Sequence, residues 1–158
     1  MPRGFALARL IALLLPLGLM AGALGSQYIG GLYPCEMCHW QRWPHYAAIA
    51  LAVLAFLPAR PGTQKTFVLL AATGIAISGA IGVFHAGVEY GWWQGFTKCS
   101  IVGSGGTSLA DIMSAPLIRC DQVQWSLFGI SLAGFNALFS LGGAIAIFFL
   151  CSRTQRPS

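Results

Sequence analysis

The sequence predicts an all-α integral membrane protein, a bundle of four transmembrane helices with a short surface helix in its second outer loop. Three observations predict it. Charged residues are 8% of the 158 and apolar residues 56%, whereas soluble domains carry about a quarter charged residues. Four apolar runs recur along the chain, and a span needs about 20 such residues. The basic residues are scattered in a pattern that orients a membrane protein rather than clustered in a patch. The formal charge of +5 therefore reads as a topology signal, and no nucleic-acid partner is expected. Spans are expected at about 5–26, 40–58, 66–85 and 126–150, with outer loops at about 27–39 and 86–125, all in one domain over 1–158.

The first run, Phe5 to Leu24, is preceded or entered by Arg3 and Arg9. Its apolar length exceeds the roughly 7–15 residues of a cleaved signal core, so it reads as a retained helix. Gly18, Gly22 and Ser26 are spaced by four, which predicts close helix contact. The second run, Trp43 to Leu57, is short and must borrow interfacial residues such as Trp40. Trp40 and Trp43 mark the headgroup level. Pro44 biases Trp43 away from helix, so either the helix kinks there or the preceding motif forms a separate turn. Pro34 suits a first helical position, and Pro58 to Gly62 ends the second span.

In the third run, Phe67 to Phe84, Gly74, Ser78 and Gly82 repeat every four residues and predict a packing stripe. His85 follows it, with Glu89 one turn on. His39, His45 and His85 each read first as interfacial hydrogen-bonding residues. Ser100 to Ser108 reads as a mobile stretch rich in Gly and Ser. Ser108 with Asp111 resembles a capping box, opening a surface helix through Leu109, Ile112 and Met113 that ends near Pro116. The fourth run is Leu127 to Leu150.

Arg3, Arg9, Arg60, Lys65, Arg153 and Arg156 fall on one side of this arrangement. Arg42, Lys98, Arg119 and all four acids, Glu36, Glu89, Asp111 and Asp121, fall on the other. By the positive-inside rule both termini are cytoplasmic. Cys35, Cys38, Cys99 and Cys120 then face the oxidising side, where disulfides persist. Cys151 lies at the cytoplasmic end of the fourth run, with no expected role.

The chemistry concentrates in Cys35-Glu36-Met37-Cys38-His39-Trp40-Gln41-Arg42. A Cys-x-x-Cys pair exchanges readily. On a helix Cys38, Gln41 and Arg42 share a face, and a guanidinium one turn away favours a thiolate. The same residues match a Cys-x-x-Cys-His haem attachment and half a zinc site. Zinc lacks a second half in the sequence, with Cys99 and Cys120 far apart and His85 alone. A disulfide between Cys99 and Cys120 would sit on an accessible loop, which suits exchange.

The ordered set of four spans, Cys35-x-x-Cys38-x-x-Gln41-Arg42, the pair Cys99 and Cys120, and the run from Cys120 through Trp125 to Leu127 resembles the DsbB family of disulfide bond formation proteins. The resemblance covers nearly the whole chain. It implies a bacterial inner-membrane enzyme, a protein-dithiol:quinone oxidoreductase, with its redox cysteines in the periplasm. Its partner would be a periplasmic DsbA-like thioredoxin-fold oxidase, which attacks Cys99 of a Cys99–Cys120 disulfide. Cys120 then attacks Cys35, and Cys38 is freed beside a ubiquinone or menaquinone. Arg42 polarises the quinone carbonyl, Gln41 helps hold it, and His85 borders it. No metal is implied. The alternative is a membrane-bound c-type cytochrome using Cys35, Cys38 and His39.

Overall fold

The computed structural model describes residues 3–57, 60–95, 100–101 and 117–153. Four helices carry the fold: α1 (Arg3–Tyr28), α2 (Glu36–Leu54), α3 (Pro61–Glu89) and α4 (Leu132–Arg153). Two small antiparallel ladders accompany them. β1 (Ser100–Ile101) pairs with β2 (Leu117–Ile118), and β3 (Ser126–Leu127) pairs with β4 (Ile130–Ser131). Cys99, Lys98, Asp111 and the expected surface helix after Ser108 lie outside the described residues.

The packing is inverted relative to a water-soluble bundle. Small residues fill the interior: Ala8 and Ala12 of α1, Ala48 and Ala52 of α2, Ala71 and Ala72 of α3, Ala137 and Ala144 of α4. Large apolar side chains such as Leu14, Trp43, Ile77, Leu138 and Ile145 point outward. Lipid is as apolar as leucine, so helices associate by close contact of small residues rather than by hiding large ones. α1, α3 and α4 are each long and apolar enough to cross a membrane. The protein is therefore a mostly helical, multi-pass membrane protein. Around the bundle α1 contacts α2 and α4, and α3 contacts α2 and α4.

Three local expectations change. The fourth helix starts at Leu132 rather than near residue 126, because Phe128 and Gly129 both take positive φ (52° and 78°) and turn the chain into the β3–β4 hairpin. Two residues with φ > 0 make the tight turn that matches strand twist. Tyr90, just past α3, pins this hairpin: its hydroxyl donates to Gly129 O (2.8 Å) and accepts from Ser131 N (2.8 Å). Pro34 lies before the cap of α2, not at a first helical position, since the helix begins at Glu36 with Cys35 as N-cap.

α2 also runs unbroken through Pro44. Ser78 of α3 donates to Gln41 O (2.8 Å) at that turn, as neighbouring serines do where a proline loosens a membrane helix.

The two glycine stripes behave differently. A Cβ on Gly74 would meet Pro44 O at 3.1 Å, and one on Gly82 would meet Ala133 O at 3.0 Å and Ala137 N at 3.1 Å. These glycines let α3 approach α2 and α4. Around Gly18 and Gly22 nothing lies within 4 Å, so the α1 stripe makes no close contact there and leaves space instead. Gly82→Leu should consequently lower the thermal unfolding midpoint in detergent, at an overpacking cost of about 1–3 kcal/mol. Gly22→Leu should be tolerated. Equal effects of the two would contradict this division.

Candidate functional site

The site is assembled where α2 and α4 begin and α1 and α3 end. Cys35 caps α2, its Sγ accepting the Cys38 N–H at 3.3 Å. The capping geometry brings the two sulfurs together, and the Cys35 thiol donates to Cys38 Sγ at 3.0 Å. Cys35 is 1% exposed, packed with Met37, Val88, Phe84 and Ile118. A ring nitrogen of His85 and the sulfurs of Cys35 and Cys120 all lie within 4.8 Å of one another. His85, isolated in the sequence, is thus part of a cluster. Hydrogen bonding with Cys120, then with Cys38, and then burial hold the Cys35 thiol well above the usual thiol range, keeping its proton in place. Cys120 lies in the turn two residues past β2, the strand that pairs Ile118 with Ser100, the residue next to Cys99.

A buried polar chain runs inward from this cluster. His85 Nε2 lies 3.5 Å from Cys35 Sγ and 3.7 Å from Glu89 Oε1. His85 Nδ1 lies 2.8 Å from Gln41 Nε2, which also donates to Met37 O at 3.2 Å. Gln41 Oε1 accepts from Asn136 Nδ2 at 2.8 Å, and Asn136 Oδ1 meets His45 Nε2 at 2.9 Å. Asn136 Nδ2 is shared with Ser78 O and Oγ, and Ser140 donates to Asn136 Oδ1. Ser78 belongs to the packing stripe yet also to this network. An amide nitrogen bearing its own hydrogens can only donate, so the nitrogen that faces it must be bare. His85 Nδ1 therefore accepts and Nε2 carries the hydrogen. That hydrogen points a donor, not a lone pair, at the sulfur cluster.

Cavities lie on either side of the sulfurs. Inside is a mainly apolar one of about 200 Å³, lined by Gly18 and Gly22 of α1, by Cys38, Gln41, Arg42 and His45 of α2, and by Phe135 and Asn136 of α4. The missing side chains of Gly18 and Gly22 hollow it out. Arg42 is buried and donates to Gln27 Oε1 (2.5 Å) and Ala23 O (3.2 Å). Both acceptors are neutral, so the guanidinium charge reaches the cavity undiminished by an ion pair among the described residues. Outside is a cleft lined by Cys120, Arg119, Asp121, Trp92 and Trp93. A small space of about 50 Å³ between them touches Cys35, Cys38, Arg42, His85 and Glu89.

Of the residues picked out in the sequence, Cys35, Cys38, Gln41, Arg42, His85 and Cys120 come together. Cys99 lies outside the described residues, and His39 is exposed. Cys151 is buried among Val68 and Ile147 in the far core. Gln27, Ser78, Asn136 and Ser140 were not visible as site residues. A lone polar residue inside an apolar run is the one signal they carry.

A helical membrane bundle with three clustered thiols at one end, set between an outer cleft and an apolar cavity, is a membrane thiol oxidoreductase. The chain belongs to the disulfide bond formation protein DsbB family, whose model matches residues 6–150. A "Disulfide bond formation protein B" of Verminephrobacter eiseniae is 33% identical over 144 residues, covering 84% of this chain and 78% of that protein. Another, of Albidiferax ferrireducens, is 29% identical, covering 90% and 83%. A Rickettsia prowazekii protein called "Uncharacterized protein RP370" is 28% identical, covering 73% and 70%. No solved structure matches. The family's role is disulfide bond formation, and the c-type cytochrome alternative is not favoured. His39, its required haem ligand, is exposed, while Cys35 faces Cys120 and His85.

Asn136→Leu should orphan Gln41 Oε1 in the interior and leave His45 Nε2 with only Ser140 Oγ, 3.4 Å away. Each orphaned group costs about 1–3 kcal/mol, read as a lowered unfolding midpoint in detergent. An unchanged midpoint would remove Asn136 from the centre of the network.

Proposed function

We propose that this protein reoxidises a periplasmic thioredoxin-like dithiol protein of the DsbA type and delivers the electrons to ubiquinone or menaquinone in the inner membrane. One observation carries the reading. Cys120, Cys35 and Cys38 lie in series, with Cys120 bordering the outer cleft and Cys38 bordering the apolar cavity.

The fold supports one four-helix domain over 1–158, with α2 as the fourth span. α2 repeats the small-inside, large-outside pattern through Ala48, Ala52, Trp43 and Val53. The charge asymmetry supports cytoplasmic termini and periplasmic thiols. The surface helix after Ser108 remains part of this reading.

A partner thiolate attacks Cys99 of the Cys99–Cys120 disulfide, forming a mixed disulfide and releasing Cys120 as thiolate. The β1–β2 pairing, which sets Ser100 opposite Ile118, supports that bridge. Cys120 attacks Cys35 of the Cys35–Cys38 disulfide. The Cys120–Cys35 bond forms, the Cys35–Cys38 bond breaks, and its electron pair leaves on Cys38. The partner's second thiolate then closes its own disulfide and frees Cys99. Cys99 attacks Cys120, the Cys99–Cys120 bond re-forms, and Cys35 leaves, so that Cys35 and Cys38 stand as the dithiol to be reoxidised.

A quinone fits the cavity on chemical grounds: apolar walls suit its ring, and Arg42 offers charged donors to a carbonyl oxygen. When bound, it supplies an acceptor for the two electrons and two protons released as a dithiol closes. Cys38 is the sulfur that borders it. Gln41 and His85 stand behind Cys38.

The deciding experiment is anaerobic mixing of the purified protein with a reduced thioredoxin-like partner and ubiquinone, following quinone reduction. Reduction that needs both components is expected; none would overturn the reading. Arg42→Ala should raise the apparent quinone KM on the order of tenfold or more, the worth of one hydrogen bond to a charged group. Gly22→Leu should raise it by filling the cavity while leaving exchange with the partner intact. Cys99→Ser should abolish trapping of a partner bearing one attacking cysteine, yet leave quinone binding unchanged. Trapping that persists would exclude Cys99 as the entry thiol.

A further inference from the structure

Gln41 is saturated. A backbone carbonyl has no hydrogen to give, so the 3.2 Å contact with Met37 O fixes which end of the carboxamide is nitrogen. The oxygen end is fixed from the other side. Asn136 Nδ2, oriented by the carbonyl of Ser78 at 3.2 Å, donates to it at 2.8 Å. The remaining Gln41 N–H meets His85 Nδ1 at 2.8 Å. The bonds then all run one way. His45 Nε2–H donates to Asn136, Asn136 to Gln41, Gln41 to His85, His85 Nε2–H to Cys35 Sγ at 3.5 Å, shared with the backbone of Cys120, and the Cys35 thiol to Cys38 Sγ at 3.0 Å.

We propose that Gln41 is a positioning residue that fixes the tautomer of His85, and thereby directs an unbroken run of donors from His45 onto Cys38, the sulfur bordering the apolar cavity. Aligned donors polarise one another, and a hydrogen bond to a charged acceptor is stronger than one to a neutral acceptor. The run therefore favours negative charge on Cys38. With both hydrogens engaged, Gln41 acts through His85 rather than on a cavity occupant. This inference rests on the reading of Cys38 as the cavity-side thiolate, not on which acceptor lies beyond it. The titratable and charged groups around Cys38 are Arg42 on its own helix, Cys35 and Tyr33 before it, His85 and Glu89 of α3, and Arg119 and Cys120 of the outer segment.

Gln41→Glu reverses it. A carboxylate can only accept, so it draws the hydrogen of His85 to Nδ1. The bare Nε2 then accepts the Cys35 thiol proton, and Cys38 loses its donor. The test uses the full chain, reduced and free of quinone, with ¹⁵N-labelled histidine. His85, assigned by loss of its signals in His85→Gln, should show a bare Nδ1 and a protonated Nε2. A protonated Nδ1 in the unsubstituted protein would overturn the inference without any variant. In Gln41→Glu the tautomer should switch. The Cys38 thiolate, followed by ultraviolet absorbance and assigned with Cys38→Ser, should titrate at higher pH, with on the order of tenfold less thiolate at a given pH. An unchanged titration would also overturn it. If the histidine signals behave as expected but no quinone is reduced, the functional reading fails and the positioning role stands.

Discussion

A carboxamide in the middle of a bundle that crosses a bilayer has no water to turn to. It is either matched inside the protein or costs several kcal/mol. Gln41 and Asn136 are matched, and the matching needs three helices at once: Gln41 from α2, Asn136 from α4, Ser78 and His85 from α3. A rotation of any one helix leaves a buried donor or acceptor alone. The network therefore sets the rotational register of the bundle, and the outer end inherits it. His85 reaches Cys35 because Gln41 holds its other nitrogen, and Cys35 reaches Cys38 because it caps the helix that carries Gln41.

The same three helices are drawn together by glycine and serine around the polar network, whereas α1 meets α4 closely at Leu15 and Gly143, away from that network. Gly74 and Gly82 admit backbone from α2 and α4, and Ser78 bonds the backbone of α2. On α1, Gly18 and Gly22 face open space, with Arg42 reaching across to Ala23 and Gln27 just beyond. The bundle is thus tight on one side and hollow on the other. The hollow side is where Cys38 and the guanidinium face a space of mainly apolar character. A cavity made by omitting side chains costs no polar group its partner. It keeps the polar network intact while leaving room for the flat, apolar acceptor of the proposed function.

Much of this was legible in the sequence, for reasons that differ by residue. The apolar runs, the Cys-x-x-Cys and the Arg42 offset are local patterns, and local patterns survive folding. The spacing of Gly74, Ser78 and Gly82 announced close packing for the same reason. The equally spaced Gly18 and Gly22 did not pack, because spacing reports which residues share a face and not what lies opposite. The start of α4 lies later than expected because Leu127 to Ile130 is as apolar as the helix that follows, and only positive φ at Phe128 and Gly129 sets it apart. Asn136 was invisible as a site residue. Its partners lie 58 and 95 positions away, and no periodicity records a contact of that kind. His85 looked solitary on the same account.

Charge orders the three sulfurs more firmly than distance does. Cys35 is buried, held protonated by its neighbours, and reaches neither the outer cleft nor the apolar cavity. In the proposed relay it is the middle sulfur in every exchange, bonded in turn to Cys120 and to Cys38. In the exchange that frees Cys38 it is the sulfur attacked and not the one that leaves, so a dry position suits it at that step. Cys38 is the opposite case. It must receive an electron pair when its bond to Cys35 breaks, and two features converge on it. The Cys35 thiol is directed at it by donors anchored as far away as Asn136, and Arg42 borders the same cavity with only neutral acceptors to share its charge. Removing either would leave the sulfurs in place and still weaken the bias that decides which of them leaves. In the proposed relay, which of the two bonded sulfurs leaves then depends on which way the amide of Gln41 faces as well as on how the cysteines are spaced.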